Sequence, residues 1–212
     1  YAPFEGTAHP DTDNIPTVEK IRADLKQLAT VTRAIRLYSS TGGVELVPPI
    51  AAEFGLKVMV GAWIDKNADR NKREIEAAIA LARRNSNVIG VVVGNEVIYR
   101  GEQEVNDLVE MIKRVKKSVN VPVTTGEIWN VWRDYPQLAN TVDFIAAHVL
   151  PYWENFTDKQ AVDQASAAKR AAEGERNAVA RHLAELGAAA RSAKGEADRL
   201  AQARDKAESA RE

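Results

Sequence analysis

The stretch V-I-G-V-V-V-G-N-E at residues 88–96 decides how this chain is read. It begins as an apolar, β-branched run, the composition of a strand buried on both faces of a parallel sheet. It then breaks off at Gly94, Asn95 and Glu96. A carboxylate at the end of a buried strand is costly unless it faces a cleft or has a partner. In parallel α/β sheets and barrels, sites are built at the carboxyl ends of the strands. Glu96 therefore has two readings. It is a functional carboxylate, or it caps the next loop or pairs with Arg100.

Four similar runs flank this stretch. R-A-I-R-L-Y at 33–38 ends in Ser39 and Ser40, and K-V-M-V-G-A-W at 57–63 ends in Ile64 and Asp65. The short run at 121–125 ends in Gly126 and Glu127. The run at 141–149 ends in L-P-Y-W-E, with Tyr152, Trp153 and Glu154. Between the runs, apolar residues recur at helical spacing. Residues 16–30 place Ile21, Leu25 and Leu28 on one face, with Pro16 suited to the first turn. Residues 44–54 read as a helix made irregular by Pro48 and Pro49 and stopped by Gly55. Residues 68–84 align Ile75, Ile79 and Ala82. Residues 101–118 align Val105, Leu108, Val109, Ile112 and Val115. Residues 1–10 and the segment holding Trp129, Trp132 and Tyr135 read as loops.

Strands alternating with helices mean βα units and a parallel sheet. Crossovers are right-handed, so the strand ends collect on one face. That face carries Tyr38, Asp65, Asn95, Glu96, Glu127, Tyr152, Trp153 and Glu154. Aromatic rings beside carboxylates suit a sugar, whose apolar ring face stacks while its hydroxyls are hydrogen-bonded. Trp129, Trp132 and Trp153 are assigned to this cleft. Trp63 is either core or cleft, and His148 either holds a substrate hydroxyl or makes a core hydrogen bond.

Composition excludes several function classes. A chain of 212 residues is one large domain, or a domain with an appendage. The net charge of −1 gives no bulk electrostatic case for nucleic acid or an anionic membrane. Cysteine is absent, which removes disulfides, thiolate metal sites and cysteine nucleophiles. No apolar run is long enough to span a membrane. His9, His148 and His182 lack metal-ligand spacing, so no metal is expected. Neither an initiator Met nor a signal peptide is present, and Tyr1 reads as the start of a processed or excised segment. No aromatic residue follows Phe156. Beyond about residue 164 the sequence turns to Ala, Arg, Glu and Lys, punctuated by Gly174, Gly187 and Gly195, with a thin apolar stripe of Val179, Leu183 and Leu186. The expected division is residues 1–163 and an Ala-rich helical appendage, 164–212.

Several of these strand ends resemble bacterial members of glycoside hydrolase family 17, the β-1,3-glucan hydrolases and transglycosylases. The similar stretches are G-V-V-V-G-N-E at 90–96, V-P-V-T-T-G-E-I-W at 121–129, F-I-A-A-H-V-L-P-Y-W-E at 144–154, Y-A-P-F at 1–4 and I-R-L-Y-S at 35–39. The resemblance covers residues 1 to about 165. It implies an α/β fold, a (β/α)8-type barrel that is incomplete: strands 2–6 are recognisable and strands 7–8 are missing. It also implies that Glu96 is the general acid/base and that Asn95 binds the 2-hydroxyl beside the cleaved bond. Tyr38, Glu127, Tyr152 and Trp153 would line sugar subsites. The implied partner is a β-glucan oligosaccharide or polysaccharide, with no cofactor. The implied location is periplasmic or extracellular, with a membrane involved only if the domain belongs to a larger anchored protein.

Retaining cleavage needs two carboxyl groups about 5 Å apart, one to protonate the leaving oxygen and one to attack the anomeric carbon. The family's nucleophile sits in a Gly-Glu-x-Gly-Trp stretch on the seventh strand, and no such stretch occurs in this sequence. A natural truncation or frame-shifted gene end, a fusion of barrel fragment and helices, or a variant reusing Glu127 or Glu154 would each account for that. Two other functions stay open: a non-catalytic carbohydrate-binding fragment, and a helical interaction module with the barrel as scaffold.

Overall fold

The computed structural model describes residues 1–6 and 15–149, with residues 162, 163, 166 and 170 beyond them. The chain divides into two compact units, Tyr1–Val149 and Leu150–Glu212. The expected boundary at 163/164, the Ala-rich appendage and any seventh or eighth strand fall almost wholly outside the described residues. Val162, Asp163, Ser166 and Arg170 are helical.

The first unit alternates strand and helix. Its elements are α1 (Val18–Leu28), β1 (Ala34–Arg36), a 3-10 turn (Val44–Leu46) leading into α2 (Val47–Glu53), β2 (Lys57–Ala62), α3 (Ala68–Arg84) and β3 (Val88–Asn95). Then follow α4 (Val105–Lys116), β4 (Val123–Ile128), α5 (Trp129–Asp134), α6 (Pro136–Ala139) and β5 (Ala146–His148). All five strands are parallel, and each pairs with its sequence neighbours in the order β1-β2-β3-β4-β5. A doubly wound sheet would reverse its order at a switch point. Sequential order instead coils the sheet in one direction, as in a (β/α) barrel. The arrangement is a five-stranded, barrel-type parallel curl with helices.

Local chemistry explains most boundaries. Thr17 Oγ1 accepts the Lys20 amide at the start of α1, and Asn67 Oδ1 accepts the Arg70 amide at the start of α3. These side chains satisfy amides that have no partner inside the helix. Pro48 and Pro49 fall in the first turn of α2, where a missing N–H costs nothing, so the irregularity is confined to the preceding 3-10 turn. Helix α4 buries Val105, Leu108, Val109, Ile112 and Val115. At roughly 1.5–3 kcal/mol per buried aliphatic side chain, packing holds it in place rather than helix propensity.

Three expectations are corrected. Residues 129–134 of the aromatic segment are helical, because Trp129-x-x-Trp132 has helical spacing, and Tyr135 breaks the helix before Pro136 opens a second short one. Strand β4 runs on through Gly126 and Glu127 to Ile128, since Gly126 pairs with both Asn95 and Ala146. Strand β5 is only Ala146–His148. The residues before it are taken up otherwise: the Thr141 amide bonds Leu138 O, and Asp143 Oδ2 accepts the Val123 amide.

Candidate active site

The end of β3 is forced into an unusual turn. Gly94 has φ 83°, and a Cβ there would lie 2.3 Å from Val97 Cγ2. Glu96 has φ 55°, the one positive φ of a non-glycine residue among the described residues. Such a conformation costs of order 1–3 kcal/mol and persists only where its surroundings impose it. Here the Glu96 amide donates to Gly126 O at 2.6 Å, and Glu96 O accepts the Arg100 amide at 2.8 Å.

The Glu96 side chain is 22% exposed, and its Oε1 lies 2.6 Å from Nδ1 of His148. On the far side of the ring, His148 Nε2 lies 3.3 Å from Nη1 of Arg36. Arg36 Nη2 donates to Asn95 Oδ1 at 2.9 Å, and the guanidinium stacks on Tyr38 at 4.7 Å. The ends of β1, β3 and β5 thus share one polar network. Strand β4 adds no side chain at this level. A Cβ on Gly126 would sit 2.8 Å from Arg36 Nη2 and 3.2 Å from His148 Nε2.

Arg100 is engaged elsewhere. It donates to Asn95 O and Ile64 O, pairs with Glu102, and stacks on Trp63 at 4.6 Å. The alternative reading of Glu96, as the Arg100 partner, is therefore not what the structure shows.

Glu127 differs from its neighbour. It is fully buried, and its Oε1 accepts the Ile98 amide at 2.9 Å. Burial pushes its carboxyl up, the backbone N–H groups of Ile98, Tyr99 and Val97 oppose that, and the charge of Glu96 adds to the rise. It holds the loop after β3 from beneath rather than facing solvent. Trp132 is also buried, at 8% exposure, and its indole donates to Ala146 O at 3.3 Å. It packs into the core and supports β5. Trp129 is half-buried with Arg133 over its ring, and Tyr38 is 45% exposed. Tyr152, Trp153 and Glu154 lie outside the described residues.

Two residues missed by the sequence reading organise this face. Arg36 is one. The other is Glu74 on α3, 2% exposed, which accepts from Ser39 Oγ, the Ser40 amide, the Trp63 amide and Thr41 Oγ1. It ties the ends of β1 and β2 together. Its signal was available, because Asn71 and Glu74 share the buried face of α3 with Ile75 and Ala78. Beside it a cavity of about 310 Å³ is lined by Tyr1, Phe4, Tyr38, Trp63, Arg73 and Glu74. Among the described residues no cluster of three His, Asp or Glu side chains has metal-site geometry. The arrangement offers a partly exposed carboxyl with a fixed nitrogen partner, an adjacent oriented amide, and an aromatic cavity nearby.

The sequence matches known proteins over most of its length. The profile of the BtgE/BtgC glycoside hydrolase domain matches residues 1–198. The chain is 25% identical over 170 residues to glucan endo-1,3-beta-glucosidase btgC of Emericella nidulans, covering 72% of this chain and 26% of that protein. It is 26% identical over 162 residues to a glucan 1,3-beta-glucosidase of Arthroderma benhamiae, covering 71% and 52%. An active-site mutant of Rhizomucor miehei beta-1,3-glucanosyltransferase, solved with laminaritriose, superposes with a TM-score of 0.66 at 29% identity, covering 75% of this chain and 61% of that one. The chain therefore spans about a quarter to a half of the length of these curated relatives. All three are fungal proteins, and the expected bacterial kinship finds no support in them.

Proposed function

The chain belongs to the BtgE/BtgC glycoside hydrolase domain family, and from that membership we propose that it acts on β-1,3-glucan with retention, by hydrolysis or transglycosylation, within glycoside hydrolase family 17. Glu96 is the general acid/base and Asn95 holds the 2-hydroxyl beside the bond that is cut. The observation that carries this reading is the end of β3: a strained, partly exposed Glu96 bonded to His148, next to an Asn95 whose carbonyl oxygen is held by Arg36. The names of the similar fungal proteins supply the substrate class. Tyr38 and Trp129 are offered as sugar-stacking surfaces, and Tyr152 and Trp153 are carried with them. An extracellular location goes with a polysaccharide substrate.

The test is product release from a linear β-1,3-glucan by the full chain beside Glu96→Gln. Turnover by the wild type that the variant loses supports the reading. Equal activity in both sinks the assignment of Glu96.

A second reading, sugar binding without turnover, is favoured by the burial of Glu127. This carboxylate on the neighbouring strand is enclosed rather than presented about 5 Å across a cleft. It predicts no product from either protein, with laminaritriose binding that survives Glu96→Gln. The interaction-module reading rests on residues outside the described ones.

A further inference from the structure

We infer that Arg36 is a positioning residue for glycosyl transfer: it fixes the amide orientation of Asn95 and, through His148, decides which oxygen of Glu96 carries the proton delivered to the leaving group. The inference rests on the reading of Glu96 as acid/base.

The argument follows from what guanidinium can do. It has five N–H donors and no acceptor, and it keeps its charge at any working pH. The 3.3 Å contact between Arg36 Nη1 and His148 Nε2 is a hydrogen bond only if Nε2 presents a lone pair. Nε2 is then unprotonated and the ring's hydrogen is on Nδ1. A doubly protonated ring would set an N–H against an N–H and a cation against a cation. Arg36 has no carboxylate partner among the described residues to offset this. Nδ1–H therefore donates to Glu96 Oε1 across 2.6 Å.

That bond sorts the two oxygens of Glu96. Oε1 is occupied as an acceptor, so in the acid form the proton rides on Oε2. As the bond from the anomeric carbon to the glycosidic oxygen breaks, its electron pair goes to that oxygen, which takes the Oε2 proton. Retention requires a second carboxylate to bond the anomeric carbon as this bond breaks, and none of the residues of this network supplies it. Glu96 is left as a carboxylate that still accepts the His148 N–H, so the charge that develops is met by a donor already in place.

The other arm of Arg36 does the same for Asn95. Nη2 donates at 2.9 Å, so the atom facing it is Oδ1. The amide NH2 is turned away from Arg36 and left to donate to a hydroxyl oxygen. Gly126 completes the device, since a side chain there would displace both Arg36 Nη2 and His148 Nε2.

The test reads the ring directly. The full chain is labelled with 15N at histidine, and the His148 signals are assigned by their loss in His148→Gln. The wild-type ring is expected as the Nδ1–H tautomer, with Nε2 bare toward Arg36. Arg36→Lys and Gly126→Ala disturb the same contact from opposite sides, and each is expected to admit the Nε2–H tautomer. Where turnover is measurable, each lowers kcat by about tenfold or more with a smaller change in KM. A wild-type ring in the Nε2–H form overturns the inference. So does a tautomer indifferent to both substitutions. If one variant fails to fold, the wild-type spectrum and the other still decide. The spectrum needs no substrate, so failure here is distinct from failure of the glycosidase reading, which product release alone scores.

Discussion

At the end of β3, Glu96 is partly exposed, sits in left-handed backbone and meets His148 at 2.6 Å. At the end of β4, the next strand, Glu127 is fully buried in extended backbone and accepts the Ile98 amide at 2.9 Å. The two residues are of one type, on adjacent strands, at nearly one level. What separates them is a single turn. Gly94 and Glu96 swing the chain out of the sheet, while β4 runs straight on and sends its carboxyl beneath that same turn. One glutamate is presented by strain, and the other holds the strained loop from below. A strand-end carboxylate is thus not a site by position alone. Here the backbone turns one carboxyl outward, where His148 holds it, and encloses the other.

The strongest way to break this contrast is Glu96→Gln. It removes the transferable proton and keeps the shape. On the proposed acid/base role, turnover of β-1,3-glucan falls by about 10²–10⁴, with the thermal midpoint little changed. A large loss of stability instead would place Glu96 among the structural residues beside Glu127.

Next in size is Glu74→Ala. Glu74 accepts four hydrogen bonds from the ends of β1 and β2 while almost wholly buried. Its removal strands several donors, and unmet buried groups cost about 1–3 kcal/mol each before relaxation. A loss of roughly 2–4 kcal/mol in urea unfolding is expected. A change below about 1 kcal/mol would mean that water replaces the carboxylate, and that the cavity wall at Trp63 does not depend on it.

How far the sequence showed all this depends on the residue. The strands were visible because β-branched runs stop at polar residues, and Asn95 and Glu96 stood out for the same reason. The five parallel strands and the long helices α3 and α4 follow from periodicity that packing reinforces. Arg36 was hidden. In R-A-I-R-L-Y it is one polar residue in a short strand, and its meaning comes from Asn95 and His148, which lie 59 and 112 positions away in the chain. Glu127 looked like a sugar ligand because spacing cannot tell a buried strand end from an exposed one. The pairing of Gly126 with Asn95 decides that, and it is a tertiary fact. Trp132 reads as a loop aromatic in the sequence but is buried, because Trp129 and Trp132 sit three apart on a short helix that turns the second ring into the core.

Glu127→Gln sharpens the contrast through pH. Burial raises the Glu127 carboxyl above the ordinary value of 4.5, so the folded state holds its proton more tightly than the unfolded chain. Stability from this group is full below about 4.5 and is lost as pH rises through the raised folded value. Glutamine keeps an acceptor for the Ile98 amide and cannot ionise. The variant should gain on the wild type as pH climbs from acid toward neutral, read as the difference in urea midpoint at each pH. A constant offset of about 1 kcal/mol across that range would show that the carboxylate is held without strain and that burial does not dominate.

The smallest effect separates the two tryptophans that the sequence placed together. Trp132→Phe removes the indole bond to Ala146 O, a long one at 3.3 Å, and leaves most of the ring volume in place. A loss near 1 kcal/mol in stability is expected, with laminaritriose affinity unchanged. Trp129→Ala should do the reverse if its half-buried ring serves as a sugar platform, because a stacking ring removed from a site weakens binding while the core behind it stays closed. Trp132 lies one helical turn further along α5, facing β5, so the pair tests the helix itself. Should Trp132→Phe weaken laminaritriose binding and spare stability, β5 and the His148 it carries must move with the sugar, and the division of α5 into a core face and a sugar face would be lost.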